Sequence, residues 1–129
     1  MPKAKQLTVS VENRPGMLGE VGSALGAKRV NILAFMGTVT GNRGTIRMVV
    51  DKPAAAKRAF AEHGWATTEE EVFMIALPDR PGRLANIAHK LREASVNIDY
   101  AYAGLGATAR RVNVYFGVSD LKAATFAVR

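Results

Sequence analysis

The sequence predicts an α+β fold made of one small module written twice, each copy in the order βαββαβ, with the second copy stopping before its last strand. Two observations predict it. Runs that alternate apolar and polar residues are interleaved with segments whose apolar residues recur at helical spacing. And one stretch returns: Val11-Glu12-Asn13-Arg14-Pro15-Gly16-Met17-Leu18 reappears 66 residues later as Leu77-Pro78-Asp79-Arg80-Pro81-Gly82-Arg83-Leu84.

In chain order, Leu7-Thr8-Val9-Ser10-Val11 alternates at period two, the mark of a strand with one buried face. Asn13-Arg14-Pro15-Gly16 ends it, and Pro15 suits the first helical position, where a missing N–H costs nothing. The helix that follows is expected to bury Leu18, Val21, Gly22 and Leu25 and to end near Lys28-Arg29. A second strand, Asn31 to Met36, leads to a turn at Gly41-Asn42-Arg43-Gly44, and Ile46, Met48 and Val50 alternate through a third. Asp51-Lys52-Pro53 opens a second helix with Ala56, Ala59, Phe60 and His63 on one face and Gly64 as its C-terminal cap. Trp65 to Thr68 forms a short fourth strand. Glu69-Glu70-Glu71, the only charge run, marks the boundary between a module over residues 1–69 and one over 70–129.

Adding 66 to Leu7, Val9 and Val11 gives Phe73, Ile75 and Leu77; adding it to the helical face gives Leu84, Ile87, Ala88 and Leu91. Val30-Asn31-Ile32 returns as Val96-Asn97-Ile98. Val112, Val114, Phe116 and Val118 alternate through a further strand, after a loop about two residues longer than its counterpart. The second copy differs in having Val72, Met74 and Ala76 on the other face of its first strand, a face that calls for cover. Nine residues follow Ser119-Asp120, enough for a helix but not a fourth strand, which leaves an open edge that dimerisation relieves.

Composition places the chain among ordinary soluble domains, with 48% hydrophobic and 22% charged residues. Cysteine is absent, which rules out disulfides and thiolate metal sites and agrees with a reducing, cytoplasmic setting. No signal-peptide core and no run long enough to span a bilayer is seen. The net charge of +7 sits mostly in residues 1–65, where 10 Lys/Arg face 4 Asp/Glu; because these are scattered, they read as a solvated basic surface rather than a nucleic-acid tract.

The repeated turn carries the chemistry. A strand-to-helix turn aims unpaired N–H groups of a helix start at whatever lies before it. A small ligand with a cationic and an anionic group would find acceptors for the one and donors for the other here. Asn13 and Asp79 offer acceptors; the N–H groups of Gly16-Met17-Leu18 and Gly82-Arg83-Leu84 offer donors, with glycine allowing close approach. Asp79 makes the second site the better ammonium acceptor. The structural alternatives are that Asn13 and Asp79 merely bond their own turn, that Asn31 and Asn97 close the preceding helix in the left-handed conformation, and that Arg14 and Arg80 pair with neighbouring acids. His63 and His89 lie on different helices without a partner at ligand spacing, so no metal, cofactor or general-base role is assigned.

The order of elements, Asn/Asp-Arg-Pro-Gly-x-Leu after the first strand, and Val-Asn-Ile after the helix resemble the ACT domain, a small amino-acid-sensing regulatory module. The resemblance covers nearly the whole chain, and the form Glu-Asn-Arg-Pro-Gly-x-Leu is similar to the serine-binding ACT domain of phosphoglycerate dehydrogenase. It implies ferredoxin-like modules, each an antiparallel sheet with helices on one face, pairing edge to edge, with ligand at the pairing interface. One site would join the turn of Asn13, Arg14, Pro15, Gly16, Met17 and Leu18 to Asn97; the other would join Asp79, Arg80, Gly82, Arg83 and Leu84 to Asn31. A ligand-assisting His of that relative corresponds to Val11 and Leu77, a departure that argues against serine itself.

The function expected is therefore a non-enzymatic sensor of a free amino acid, a homodimer, that alters its own association or that of a biosynthetic enzyme or transporter. Two other readings share the element order. Acylphosphatase-like catalysis requires a phosphate cradle of successive N–H groups, which Pro15 interrupts. An RRM-like nucleic-acid module requires outward aromatics on its third strand, and Gly44 to Val50 has none, while Tyr115-Phe116 is only a fragment.

Overall fold

The computed structural model describes residues 3–128 and comprises ten elements: β1 (Lys3–Glu12), α1 (Met17–Ala27), β2 (Ile32–Thr40), β3 (Arg43–Val50), α2 (Pro53–Glu62), β4 (Ala66–Pro78), α3 (Arg83–Glu93), β5 (Ile98–Leu105), β6 (Arg111–Val118) and α4 (Leu121–Ala127). Lys5–Glu70 form one compact unit; Glu71 onward, together with Lys3 and Ala4, form the other.

In the first unit β1 pairs antiparallel with β3, and β3 with β2. Leu7, Val9 and Val11 share a face with their cross-strand partners Met48 and Ile46, and both helices cover that face. Met17, Val21 and Leu25 of α1 and Ala56 and Phe60 of α2 complete the core. The buried stripe of α1 is Met17, Val21, Ala24 and Leu25, so the expected face is corrected by a rotation: Leu18 is 56% exposed. The cause is the turn. Gly16, not Pro15, stands next to the first helical residue, at φ 90°, and the helix begins two residues later than Pro15, with Met17 turned inward. The hairpin turn is also tighter than expected, with Thr40 paired to Arg43 across Gly41-Asn42.

β4 runs unbroken for 13 residues, which corrects the expectation of two strands parted by the acidic triplet. Neighbouring side chains absorb two of those charges: Gln6 Nε2 of β1 donates to Glu70 Oε1 at 3.1 Å, and Lys57 Nζ of α2 lies 2.8 Å from Glu69 Oε1. The Lys57 hydrogen bond holds the Glu69 carboxyl below its ordinary value.

In the second unit the strand order is β5-β6-β4, antiparallel throughout. Phe73, Leu91, Val96, Phe116 and Ala124 form the core, with the Phe73 and Phe116 rings 5.7 Å apart. Of the helical face expected for α3 only Leu91 is buried, and Leu84 is 54% exposed. On the other face Val72 is buried, and the rings of Tyr100, Tyr102 and Tyr115 stack in succession. Tyr100 lies over Gly117, its cross-strand partner, where any Cβ would strike the ring.

The two copies end their first helices alike. Arg29 and Ser95, 66 residues apart, adopt φ 56° and 58°, and Val30 N–H donates to Leu25 O as Val96 N–H does to Leu91 O, both at about 3 Å. This is the left-handed closure of a Schellman motif. It falls two residues before Asn31 and Asn97, so those asparagines do not close the helices.

Candidate functional site

Each turn is built by a glycine that no other residue replaces without strain: Gly16 at φ 90° and Gly82 at φ 86°. The glycines reverse the chain from strand to helix, and Glu20 and Asn86 donate their N–H groups back to the Gly16 and Gly82 carbonyls at 3.0 and 3.2 Å. Met17 N–H is spent on the Arg14 carbonyl at 3.3 Å, and Arg83 N–H on that of Arg80 at 3.4 Å. The donors left at each helix start are therefore one residue further on than the sequence suggests. Among the described residues no acceptor meets the N–H groups of Leu18 and Gly19, or of Leu84 and Ala85.

Asn13 is exposed, and its N–H donates to the Asn42 carbonyl at 3.1 Å, tying the turn to the β2–β3 hairpin. Asp79 N–H makes the matching bond to Arg110 O at 2.8 Å. The backbone of each turn is thus held by its neighbour hairpin, and the Asn13 and Asp79 side chains are not what holds it.

Asn31 and Asn97 are clamped through their main chains. Asn31 N–H donates to Asp51 Oδ1 at 2.9 Å and its carbonyl accepts from Asp51 N–H at 3.1 Å. Asn97 makes the same pair with Ser119, at 2.9 and 3.0 Å. Their side chains differ: Asn97 Nδ2 donates to Asp99 Oδ1 at 2.7 Å.

Charge separates the two copies. Arg14 bridges two acids, with Nη1 2.6 Å from Glu20 Oε2 and Nε 3.3 Å from Glu12 Oε2. The hydrogen bond from Arg14 holds Glu20 below its ordinary value, and the same bond raises Arg14. In the second copy the positions of these acids are Pro78 and Asn86, and among the described residues no carboxylate pairs with Arg80. Instead Asp79 shares an open cleft of about 660 Å³ with Arg80, Arg110 and Arg111. Its surroundings are net positive, which weakens its pull on an ammonium.

One feature of the first copy gave little sign in the sequence. A β-bulge between Ile32 and Ala34 shifts the register so that Phe35 pairs with Met48 and shares its face. Phe35, 49% exposed, and Leu18 then rim an apolar cleft of about 140 Å³ between α1 and the β2–β3 strands. Counting alternation through β2 without the bulge would have turned Phe35 the other way.

His63 caps the end of α2, stacked on Trp65 at 4.5 Å, with Nδ1 2.9 Å from the Ala59 carbonyl. Tyr115 and Phe116 are both 2% exposed, so neither offers a stacking platform for a base. Among the described residues no group of three His, Asp or Glu side chains is placed to hold a metal, and no helix is long and apolar enough to cross a membrane.

A family model for an ACT domain pair matches residues 3–117. No curated protein matches the chain. Among solved structures, protein BT0572 from Bacteroides thetaiotaomicron is 28% identical, with a TM-score of 0.87 over 98% of this chain and 87% of that one. The regulatory subunit of aspartate kinase from Thermus thermophilus, in ligand-free form, is 21% identical, with a TM-score of 0.65 over 96% and 89% of the two chains. That from Thermus flavus is 19% identical, with a TM-score of 0.62 over 99% and 91%.

Proposed function

The chain belongs to the ACT domain pair family, and from that premise we propose that it is a regulatory protein, not an enzyme, that binds a free amino acid. The observation that carries the proposal is the twice-built turn. In each copy a left-handed glycine starts a helix whose first unspent N–H groups, at Leu18 and Gly19 or at Leu84 and Ala85, are suited to a carboxylate. Asn13 or Asp79 stands beside them as acceptor for the ammonium.

Following the resemblance to the serine-binding relative, the amide of Asn97 completes the site at the first turn and that of Asn31 the site at the second. Binding then changes how modules associate, within a homodimer or on an amino-acid biosynthetic enzyme or transporter in the cytoplasm. Two chains of similar fold are regulatory subunits of aspartate kinase, which is a partner of this type. A ligand acts this way only if it prefers one assembly over another.

A thermal-shift screen against the twenty amino acids tests the proposal. An amino acid at about 100 times its Kd stabilises the fold by about 2.7 kcal/mol, and Asn13→Ala is expected to reduce that shift for a ligand held at the first turn. A flat response to all twenty in the wild-type protein would refute it.

A further inference from the structure

The two turns are similar, but what lies beyond them is not. Behind the first turn is the apolar cleft rimmed by Leu18 and Phe35, with Val21 and Gly22 of α1 on one wall and Ile32, Ile46 and Met48 of the strands on the other. Every lining residue is apolar. The size is telling: an apolar cavity of about 150 Å³ lined by Leu, Ile and Phe takes up a benzene molecule, and this cleft, open at its Leu18–Phe35 rim, measures about 140 Å³. It is large enough for a branched aliphatic side chain or a single aromatic ring.

The cleft also begins where the carboxylate donors are. Leu18 contributes its N–H to the helix start and its side chain to the rim, so the two recognition elements are one residue apart or less. A small-molecule pocket with this make-up, mostly apolar with a few polar groups at one end, matches a ligand that is polar at one end only.

Two sequence features shape the space in this copy. Gly22 lacks a side chain, and a Cβ built there meets nothing within 4 Å. The bulge in β2 brings Phe35 onto the helix side of the strand. In the second copy the residues corresponding to Gly22 and Phe35 are Ala88 and Ala101, so a methyl group stands where the space was and the aromatic wall is gone.

Resting on the reading that the first turn binds a free amino acid, we infer that this site selects an apolar side chain, of the leucine, isoleucine, valine, methionine or phenylalanine type, which enters the Leu18–Phe35 cleft while the carboxylate meets the start of α1. A charged or hydroxylated side chain would lose its water there with no polar partner on the walls, a cost that no gain in contact offsets. Each methylene buried favours the larger ligand by several-fold.

Isothermal titration calorimetry on the full chain tests this with glycine, alanine, valine, leucine, phenylalanine, threonine, lysine and aspartate, in the wild-type protein and in Gly22→Leu and Gly22→Ala. Leucine is expected to bind at least tenfold more tightly than alanine, and threonine, lysine and aspartate no better than alanine. Gly22→Leu, whose side chain occupies the cleft, is expected to weaken leucine binding at least tenfold while its melting temperature stays at or above that of the wild type. Gly22→Ala is expected to fall between the two. Tightest binding of a polar or charged amino acid would overturn the apolar assignment and leave the amino-acid reading standing. Leucine binding undiminished in a folded Gly22→Leu would overturn the placement in this cleft. Silence toward every amino acid would overturn the inference together with the reading it rests on.

Discussion

Glycines of the same helix start are expected to respond in opposite directions to the same substitution. Gly16 sits at φ 90°, ψ −9°, where an L-residue pays about 1–2 kcal/mol. A Cβ there meets no atom within 4 Å, so crowding adds nothing and the cost is conformational alone. Gly16→Ala is therefore expected to destabilise the protein by about 1–2 kcal/mol, and Gly16→Asn by less, because asparagine tolerates the left-handed region. Gly22 is six residues further along, inside α1 and equally free of neighbours at its Cβ position. There alanine is expected to stabilise by about 0.5–1 kcal/mol, through helix propensity. Urea unfolding followed by far-UV circular dichroism reads both. With a slope of about 2 kcal/mol per molar, Gly16→Ala lowers the midpoint by roughly 0.5–1 M and Gly22→Ala raises it by about half that. A Gly16→Ala protein as stable as the wild type, or more stable than Gly16→Asn, would refute the left-handed assignment of the turn.

Three further outcomes are expected. Because the Arg14 hydrogen bond lowers the folded-state pKa of Glu20, its contribution is present above the unfolded value and lost as pH falls through the carboxylate range. The melting-temperature gap between wild type and Glu20→Gln should be small at neutral pH, smaller in high salt, and absent in acid. Asp120 Oδ1 accepts from Ala123 N–H at 2.9 Å as the N-cap of α4, so Asp120→Ala should cost about 1 kcal/mol, and Asp120→Ser should recover most of it in the same thermal melt. Phe60 is fully buried, with its ring 6.0 Å from that of Trp65; Phe60→Ala should cost about 3–5 kcal/mol and alter the emission of Trp65, the sole tryptophan.

Much of this architecture is legible in the sequence because the module occurs twice. One copy checks the other: the apolar positions of the first strand and the Val-Asn-Ile after the helix coincide under a single offset, and alternation alone places Phe73, Ile75 and Leu77 inward. What the sequence hides is local. Pro15 satisfies the rule for a first helical residue, yet the glycine after it takes the left-handed turn and moves the start to Met17, rotating the buried face away from Leu18. The run Glu69-Glu70-Glu71 has the look of a break, but a strand tolerates charges whose partners, here Gln6 and Lys57, come from elsewhere in the fold. The bulge at Ile32–Ala34 changes alternation without any distinctive residue, so the cleft it builds cannot be found by counting. Arg29 and Ser95 adopt positive φ where Asn or Gly is the usual choice, which is why the helix closure is easily misplaced onto Asn31 and Asn97.

The clamp on those asparagines has a practical meaning. At one position the oxygen that receives the Asn N–H belongs to a carboxylate, Asp51, and at the equivalent position to a hydroxyl, Ser119, yet the main chain makes the same pair of bonds at nearly the same lengths. Two side-chain chemistries thus serve one backbone path. Around these asparagines the two copies keep one backbone path while differing in what they display, so the side chain that closes the clamp is open to exchange between Asp and Ser.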